Sequence, residues 1–381
     1  MHQPGRAGFM GNSKERIAGK APGLTGFSFD PQQAVLARDQ KRLLTIRVEI
    51  NTTCNLNCRY CIAQCSEKIP HEVSFDNLKK VVDGAALLKA QSVIITGGGE
   101  PLLHSRFADI ISYVSQCGLR PVVFSNAVLV TPEMASFLYR HNVSVMAKID
   151  SLHPATQDGL AGVPGAYVRI QAGLHNLIEA GFSRTEDPGH LRLGVCFVAN
   201  SRNVKEMEEL WHFCRRNGVF PYIQFIYPER VTGAEDLLLS WDQIKACKRK
   251  LHLIDKQNYG FDWIPSTPFI AGECLQHFYS MYVTVKGDIR PCIYTNFDEH
   301  PFFHKAGIYP YNAFKGSISE AYEAEPFVYA RSIDRHLEGK CSICSYLPHC
   351  IGCRGYAYRR GIKQGLSPYE ALRISCQLCY L

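Results

Sequence analysis

Residues 43–61 read LLTIRVEINTTCNLNCRYC and decide the fold. The first eight residues are rich in apolar and β-branched side chains in alternation, which predicts a β-strand. Three cysteines follow at once, Cys54, Cys58 and Cys61, with the spacing C-x3-C-x2-C. Ligands of parallel α/β proteins collect at the carboxyl ends of the strands, so this loop is a candidate site.

The spacing of the three cysteines indicates a metal centre with a chemical role. Three thiolates hold three irons of a cubic iron–sulfur cluster and leave the fourth iron open to a ligand. Structural zinc is the alternative, but it usually takes four ligands in paired C-x2-C blocks. Cys65 is the nearest candidate for a fourth zinc ligand. We favour the open cluster, because a lone triplet fits zinc poorly.

Strands and helices alternate from residue 43 to about residue 255. Strand patterns begin at residues 43, 92, 121, 143, 191 and 222, with helical patterns between them. This alternation predicts a parallel sheet covered by helices. About six βα units are too few for a complete eight-fold barrel. An incomplete (β/α) barrel and a doubly wound sheet both fit the pattern.

Changes in texture divide the chain into three segments. Residues 1–42 form a lead-in segment with one short helix over Pro31–Lys41, for which Asp30 is the expected N-cap. Residues 43–267 form the α/β domain. Residues 268–381 form a smaller domain in which proline, aromatic residues and cysteine dominate.

Composition excludes several classes of protein. The chain has 381 residues, 46% of them hydrophobic, and a net charge of +7. This mild, scattered charge does not indicate nucleic-acid binding. No segment approaches the roughly 18 apolar residues of a membrane span, and the N-terminus lacks the apolar core of a secretory signal. The 16 cysteines are therefore expected to be reduced thiols in the cytoplasm.

A glycine run follows the second strand: Gly97, Gly98 and Gly99 precede Glu100 and Pro101. Consecutive glycines allow the backbone to approach a ligand closely. Glu100 would then offer a carboxylate to a cationic group. The run lies at the same end of the sheet as the cysteines, which favours a shared site over an ordinary tight turn.

The cysteine triplet and the glycine–glutamate motif together resemble the radical S-adenosylmethionine (radical SAM) enzymes, over about residues 43–255. The resemblance implies a [4Fe-4S] cluster on Cys54, Cys58 and Cys61, whose open iron chelates the amino and carboxylate groups of S-adenosylmethionine. It also implies that the amino group is held by Gly98, Gly99 and Glu100.

Later strand ends match the family as well. Its motifs correspond to Phe124-Ser125-Asn126 and to Lys148-Ile149-Asp150-Ser151. Candidates for the carboxylate and ribose of S-adenosylmethionine are therefore Ser125, Asn126, Lys148, Asp150 and Ser151. A plain ion pair is the alternative for the lysine and the aspartate.

The cysteines of the last segment resemble the SPASM extension of radical SAM enzymes. They are Cys274, Cys292, Cys341, Cys344, Cys350, Cys353, Cys376 and Cys379. Their central run reads C-x2-C-x5-C-x2-C, one residue shorter before Cys353 than the usual pattern. The resemblance implies two auxiliary [4Fe-4S] clusters; a pair of zinc knuckles is the alternative.

The two auxiliary clusters would divide these cysteines. One would use Cys274, Cys292 and Cys353, and it lacks an obvious fourth cysteine, so a non-cysteine ligand or an open iron is expected. The other would use Cys341, Cys344, Cys350 and either Cys376 or Cys379.

The resemblance implies reductive cleavage of S-adenosylmethionine to a 5′-deoxyadenosyl radical, which removes hydrogen from an unactivated C–H bond. We expect an oxidoreductase that oxidises, cross-links or epimerises a peptide, such as a ribosomally made precursor. A sugar or aminocyclitol is the alternative substrate. A non-catalytic iron–sulfur electron carrier is the hypothesis from a different class. The expected reductant is a flavodoxin or a ferredoxin.

Overall fold

The computed structural model describes residues 19–63, 65, 70–184, 187, 189–226, 233–263, 274–295 and 311–376. In these ranges the strands are β1 (Gly23–Leu24), β2 (Thr45–Val48), β3 (Ser92–Ile95), β4 (Arg120–Ser125), β5 (Ser144–Lys148), β6 (His190–Leu191), β7 (Leu193–Ala199), β8 (Phe220–Phe225), β9 (Ser280–Val283) and β10 (Ile289–Arg290). The helices are α1 (Pro31–Asp39), α2 (Phe75–Leu87), α3 (Phe107–Gln116), α4 (Pro132–Arg140), α5 (Pro154–Ala161), α6 (Ala166–Glu179), α7 (Met207–Arg216), α8 (Trp241–Ile254), α9 (Gln276–Tyr279), α10 (Ile318–Glu323), α11 (Glu325–Arg331), α12 (Arg354–Lys363) and α13 (Pro368–Arg373).

The central sheet has the order β10-β9-β2-β3-β4-β5-β7-β8. All its neighbouring strands are parallel except β10, which pairs antiparallel to β9. From β2 to β8 the order follows the chain and never reverses, which excludes the doubly wound alternative. The sheet keeps two separate ends, so the predicted incomplete barrel is confirmed.

The two faces of the sheet differ in what covers them. Right-handed crossovers in one direction place the connecting helices on the same, outer face. Outward residues such as Ile46 and Val48 pack with these helices in the largest apolar core. On the inner face, Ile94 and Val122 pack against Leu24 and Phe27 from the lead-in segment. The lead-in segment therefore covers part of the inner face.

Local signals explain where several helices begin. Asp30 caps α1 as expected, since its side chain accepts from the Gln32 amide and Gln33 completes a capping box. Helix α5 was not predicted. It begins with Pro154 at its first position. Its C-cap is Gly162, whose φ of +67° is a left-handed conformation that glycine adopts without steric strain.

The C-terminal segment shares the sheet with the α/β domain, because β9 pairs with β2. A second apolar core joins α1 to the C-terminal helices and includes Ala37, Phe278 and Tyr358. The predicted boundary at 267/268 lies outside the described residues and stays a prediction. Within the described ranges, no helix has the length and hydropathy of a membrane span.

Candidate active site

The cysteine triplet lies in the loop that follows β2, at the carboxyl edge of the sheet. Cys54, Cys58 and Cys61 are all partly exposed cysteines. A turn closes the last part of the loop, where the Cys61 amide donates to the Cys58 carbonyl at 3.0 Å. Three thiols therefore share one short loop at the end of the sheet where parallel α/β proteins bind ligands.

The loop is fixed to the unpredicted helix α5. The Asn57 amide donates to the Ala161 carbonyl at 2.9 Å, and the Arg59 amide donates to the Leu160 carbonyl at 3.3 Å. The Arg59 guanidinium also makes a two-pronged ion pair with Asp236, at 2.9 and 3.1 Å. Helix α5 thus helps to position the cysteine loop.

The glycine run packs against the backbone of the cysteine loop. The Gly99 amide donates to the Asn51 carbonyl and the Glu100 amide to the Thr53 carbonyl, each at 2.8 Å. A Cβ at Gly98 would overlap the Asn51 carbonyl oxygen, and one at Gly99 would overlap the Thr53 carbonyl oxygen. The absence of side chains is therefore required by loop–loop contact, a requirement separate from the expected approach to a ligand.

Glu100 is buried, with 3% of its surface exposed. Its carboxylate accepts hydrogen bonds from the Ser125 hydroxyl at 2.8 Å, the Asn126 amide at 2.7 Å and the Leu102 amide at 3.2 Å. Burial raises the pKa of Glu100 to about 7, although these hydrogen bonds oppose the rise. The carboxylate links the ends of β3 and β4.

Asn126 connects this pair of strand ends to the cysteine loop. Its side-chain amide donates to the Asn55 side chain at 2.6 Å and lies 3.9 Å from the Cys54 sulfur. Hydrogen-bond donors near cluster sulfurs tune iron–sulfur centres. The structure therefore brings together the loops that carry the predicted residues Cys54, Glu100, Ser125 and Asn126.

The residues predicted at the end of β5 form a polar cluster of their own. Lys148 makes an ion pair with buried Asp150, and the Tyr60 hydroxyl donates to the same carboxylate. The Lys148 ammonium lies 4.9 Å from the centre of the Tyr60 ring. Ser151 donates to Glu206. The ion pair that was the alternative for Lys148 and Asp150 is thus present, so their role with S-adenosylmethionine stays a prediction.

The three thiols have the chemistry that an iron–sulfur cluster requires. Burial raises the pKa of Cys58 to about 12, and burial also raises the pKa of Cys54. Thiols in this environment lose their protons readily only when a metal cation supplies compensating charge. The half-buried triplet, with an amide donor beside Cys54, fits a [4Fe-4S] cluster.

Cys65 lies beside the triplet. Its sulfur is 3.9 Å from the Cys61 sulfur and contacts the Gly98 carbonyl. In the part of the chain that the structure describes, no three His, Cys, Asp or Glu side chains converge as a mononuclear metal site needs. Cys65 is therefore a neighbour of the triplet, and the described residues do not form the four-ligand arrangement of a structural zinc site.

The structure brings the C-terminal cysteines near one another. Burial raises the pKa of Cys274 to about 12, and the negative charge of a Cys292 thiolate also raises it. Burial raises the pKa of Cys353 well above its ordinary value. The charges of Cys376, Cys274 and Cys292 raise it further. Cys353 packs with Cys376 and Cys341 in a small apolar cluster, and the charges of Cys274 and Cys292 act on it. Cys379 lies outside the described residues.

Sulfur atoms and one arginine organise the backbone of this region. Cysteine sulfurs accept backbone amides in the pairs Tyr294–Cys292, Gly352–Cys350 and Tyr356–Cys353, at 3.4–3.5 Å. Arg354 is buried and donates to the Leu372 and Ile374 carbonyls, at 2.9 and 2.8 Å. It also lies 3.8 Å from the Cys341 sulfur. Cys344 is partly exposed in the same turn.

Two charged residues near the site were missed from the sequence. Arg47 lies on β2 and Glu49 directly follows that strand, and Arg47 pairs with Tyr282 of β9. The Tyr282 hydroxyl donates to Glu49 at 2.6 Å. The signal was present, because two charged residues alternate with apolar ones in a strand that is otherwise apolar.

A family model described as the Radical SAM superfamily matches residues 48–210. A curated relative, the AdoMet-dependent heme synthase of Methanosarcina barkeri, is 28% identical over 343 residues, which cover 81% of this chain and 90% of that protein. The mycofactocin maturase MftC of Mycolicibacterium smegmatis is 25% identical over 217 residues, which cover 57% of this chain and 50% of that protein.

Among solved structures, SuiB of Streptococcus suis bound to S-adenosylmethionine aligns with a TM-score of 0.66 and 17% identity. The alignment covers 92% of this chain and 81% of SuiB. SuiB bound to its precursor peptide SuiA aligns with a TM-score of 0.65. At this identity the likeness establishes a shared fold, including the C-terminal part that the family model does not reach.

Proposed function

We propose that this chain is a radical SAM enzyme and that Cys54, Cys58 and Cys61 hold its [4Fe-4S] cluster. When bound, the cluster and S-adenosylmethionine supply a 5′-deoxyadenosyl radical that abstracts hydrogen from a substrate C–H bond. The strongest support is the placement of three cysteines on one loop, which backbone hydrogen bonds join to Gly99 and Glu100. An electron carrier would not need that second loop.

The loops around the triplet are proposed to bind S-adenosylmethionine. Gly98, Gly99 and Glu100 would receive its amino group, because a buried carboxylate with a raised pKa gains most from a neighbouring cation. Candidates for its other polar groups are Ser125, Asn126, Lys148, Asp150 and Ser151. Tyr60 and the surrounding apolar residues would exclude water from the site.

The C-terminal part is proposed to hold two auxiliary [4Fe-4S] clusters. The proximity of Cys274, Cys292 and Cys353 supports one of them. The other would use Cys341, Cys344, Cys350 and either Cys376 or Cys379. Iron analysis after anaerobic reconstitution tests the number: about twelve irons per chain are expected for three clusters, and about four would refute the auxiliary pair.

We propose an oxidoreductase whose substrate is either a peptide or a small metabolite. The maturase relative and the peptide-bound SuiB support a peptide. The proposed reductant is a flavodoxin or a ferredoxin. The heme synthase relative supports a small metabolite, because its alignment spans 81% of this chain and 90% of that protein. This second candidate replaces the sugar or aminocyclitol as the metabolite that we favour.

Incubation of reconstituted enzyme with dithionite and S-adenosylmethionine tests the chemistry. We expect 5′-deoxyadenosine in chromatography coupled to mass spectrometry. The Cys58→Ser variant is expected to form none, whereas Cys117→Ser, at the C-cap of α3, retains the activity. Iron-loaded protein that releases no 5′-deoxyadenosine would instead be an electron carrier.

A further inference from the structure

Arg47 is a buried arginine without an anionic partner. Its exposed fraction is 8%, and its Nε atom is enclosed without a hydrogen-bond acceptor. Among the hydrogen bonds and ion pairs of the described residues, none involves the Arg47 side chain. Its guanidinium lies over the Phe27 ring, 5.2 Å from the ring centre. A guanidinium has five N–H donors and stays charged, so this arrangement leaves much of its binding capacity unused.

The register of the sheet places Arg47 on the inner face. It pairs with Ile94 of β3 on one side and with Tyr282 of β9 on the other. Ile94 belongs to the inner-face cluster with Phe27 and Tyr222. The positive charge of Arg47 also opposes the rise in the pKa of the Tyr222 hydroxyl. The guanidinium therefore lies inside the incomplete barrel, on the strand that leads into the cysteine loop.

The neighbouring carboxylate does not neutralise Arg47. Glu49 lies two residues further along the same face, but it accepts the Tyr282 hydroxyl at 2.6 Å and the Val285 amide at 2.8 Å. No ion pair joins Glu49 to Arg47 in the described part of the chain. An unpaired charge in a buried position is strongly unfavourable. The presence of Arg47 at this position therefore indicates that a bound ligand supplies the anion.

We propose that Arg47 binds an anionic oxygen group of the substrate, a carboxylate or a phosphate, on the inner face of β2. Guanidinium groups bind both through paired N–H···O bonds. The inference rests on the proposed function, because it assigns the inner face to the substrate. An anion held there would lie on the strand that leads into the loop of Cys54, Cys58 and Cys61, where hydrogen abstraction is proposed to occur.

The rival explanation places the counter-charge on a cluster. The positive charge of Arg47 also lowers the pKa of the Cys274 thiol, which opposes the rise caused by burial. An auxiliary cluster on Cys274 is anionic and would interact with the same guanidinium. The two explanations differ in their consequences: one changes ligand affinity and the other changes the midpoint potential of the cluster.

Matched charged and neutral probes test the proposal on reconstituted enzyme. Coproporphyrin III and its tetraamide form the carboxylate arm, and GTP and guanosine form the phosphate arm, with affinities measured by fluorescence or calorimetry. We expect one anionic probe to bind about 10- to 100-fold more tightly than its neutral partner, and Arg47→Met to remove that preference. Arg47→Lys should retain part of it, since a lysine keeps the charge without the paired donors.

Arg120→Met is the matched control, because Arg120 donates to Asn142 at the opposite end of the sheet and should not affect the preference. Thermal unfolding and iron content establish that each variant is folded and loaded. The proposal is overturned if neither anionic probe is preferred, or if Arg47→Met leaves the preference unchanged. A shifted cluster potential with unchanged probe binding also overturns it. Probe binding in enzyme that forms no 5′-deoxyadenosine would refute the proposed function and keep the anion site.

Discussion

The two groups of cysteines are held in different ways. The loop of Cys54, Cys58 and Cys61 is fixed by backbone hydrogen bonds to the glycine run on one side and to α5 on the other. The C-terminal cysteines lie among turns and short helices, where sulfur atoms accept amides and Arg354 bridges separate segments.

This difference indicates how each group responds to iron. The first set of thiols is positioned by the sheet itself, so the fold is expected to persist when that cluster is lost. In the C-terminal region, the sulfurs are part of the local structure. Iron binding and local folding should therefore be coupled there, as in small metal-stabilised domains.

The largest expected effect separates the two groups by chemistry. Cys58→Ala should reduce formation of 5′-deoxyadenosine to the level without enzyme, because it removes one of three proposed cluster ligands. Cys344→Ala should retain at least about half of that activity and lose about four irons per chain. Equal losses of activity in both variants would contradict the assignment of cleavage to the first group alone.

The next effect tests the backbone contact that positions the first group. Gly99→Ala should destabilise the protein by about 3–5 kcal/mol, because the new Cβ overlaps the Thr53 carbonyl oxygen and the loops must separate. Gly159→Ala is the matched control. Nothing lies within 4 Å of a Cβ at that position of α5, so it should be neutral or slightly stabilising. Urea unfolding of the iron-free chain measures both, and equal stabilities would refute the role of the contact.

Much of the fold follows from local patterns in the sequence. The alternation of strands and helices predicts the parallel sheet, and Asp30 with Pro31 predicts the start of α1. Helix α5 was missed because its sequence, PATQDGLA, has little apolar periodicity. Strand β9 was missed because four residues in a segment rich in cysteine carry a weak strand signal, and pairing with β2 is a long-range event.

The site was predictable by residue type and less so by contact. Spacing placed the cysteine triplet and the glycine run on one edge of the sheet, and the structure agrees. The acceptance of three hydrogen bonds by Glu100 depends on how β4 approaches β3, which no local pattern encodes. The isolation of Arg47 depends on which partners are absent around it, and a sequence pattern carries no such information.

A smaller effect should appear as a pH dependence at the first group. The pKa of Glu100 rises from 4.5 to about 7 in the folded chain, so the folded chain binds more protons than the unfolded chain between these values. Stability therefore decreases as the pH rises from about 4.5 to 7, by about 3 kcal/mol, and then stays constant. Urea unfolding of the iron-free chain at pH 5 and pH 8 measures the loss.

Glu100→Gln isolates this contribution from other titrating groups. The variant cannot titrate, so its stability should decrease less between the two pH values than that of the wild type. Parallel pH profiles for both proteins would show that Glu100 is ionised throughout this range, and that its hydrogen bonds from Ser125, Asn126 and Leu102 outweigh burial.

The smallest effect tests the dependence of the C-terminal region on side chains. Arg38 of α1 makes an ion pair with Asp334 at 2.7 Å and lies 4.7 Å from the Phe278 ring centre, with its side chain 12% exposed. Arg38→Met should cost about 1–2 kcal/mol and increase amide exchange around α9 and Asp334, while the loop of Cys58 is unaffected.

Lys41→Met is the control. It removes a 3.6 Å ion pair with Glu323 at a side chain that is 74% exposed, and should change stability by less than about 0.5 kcal/mol. Faster exchange in the Cys58 loop would contradict this expectation. It would mean that the C-terminal region also stabilises the loop of Cys54, Cys58 and Cys61, so that the two groups of cysteines do not respond independently.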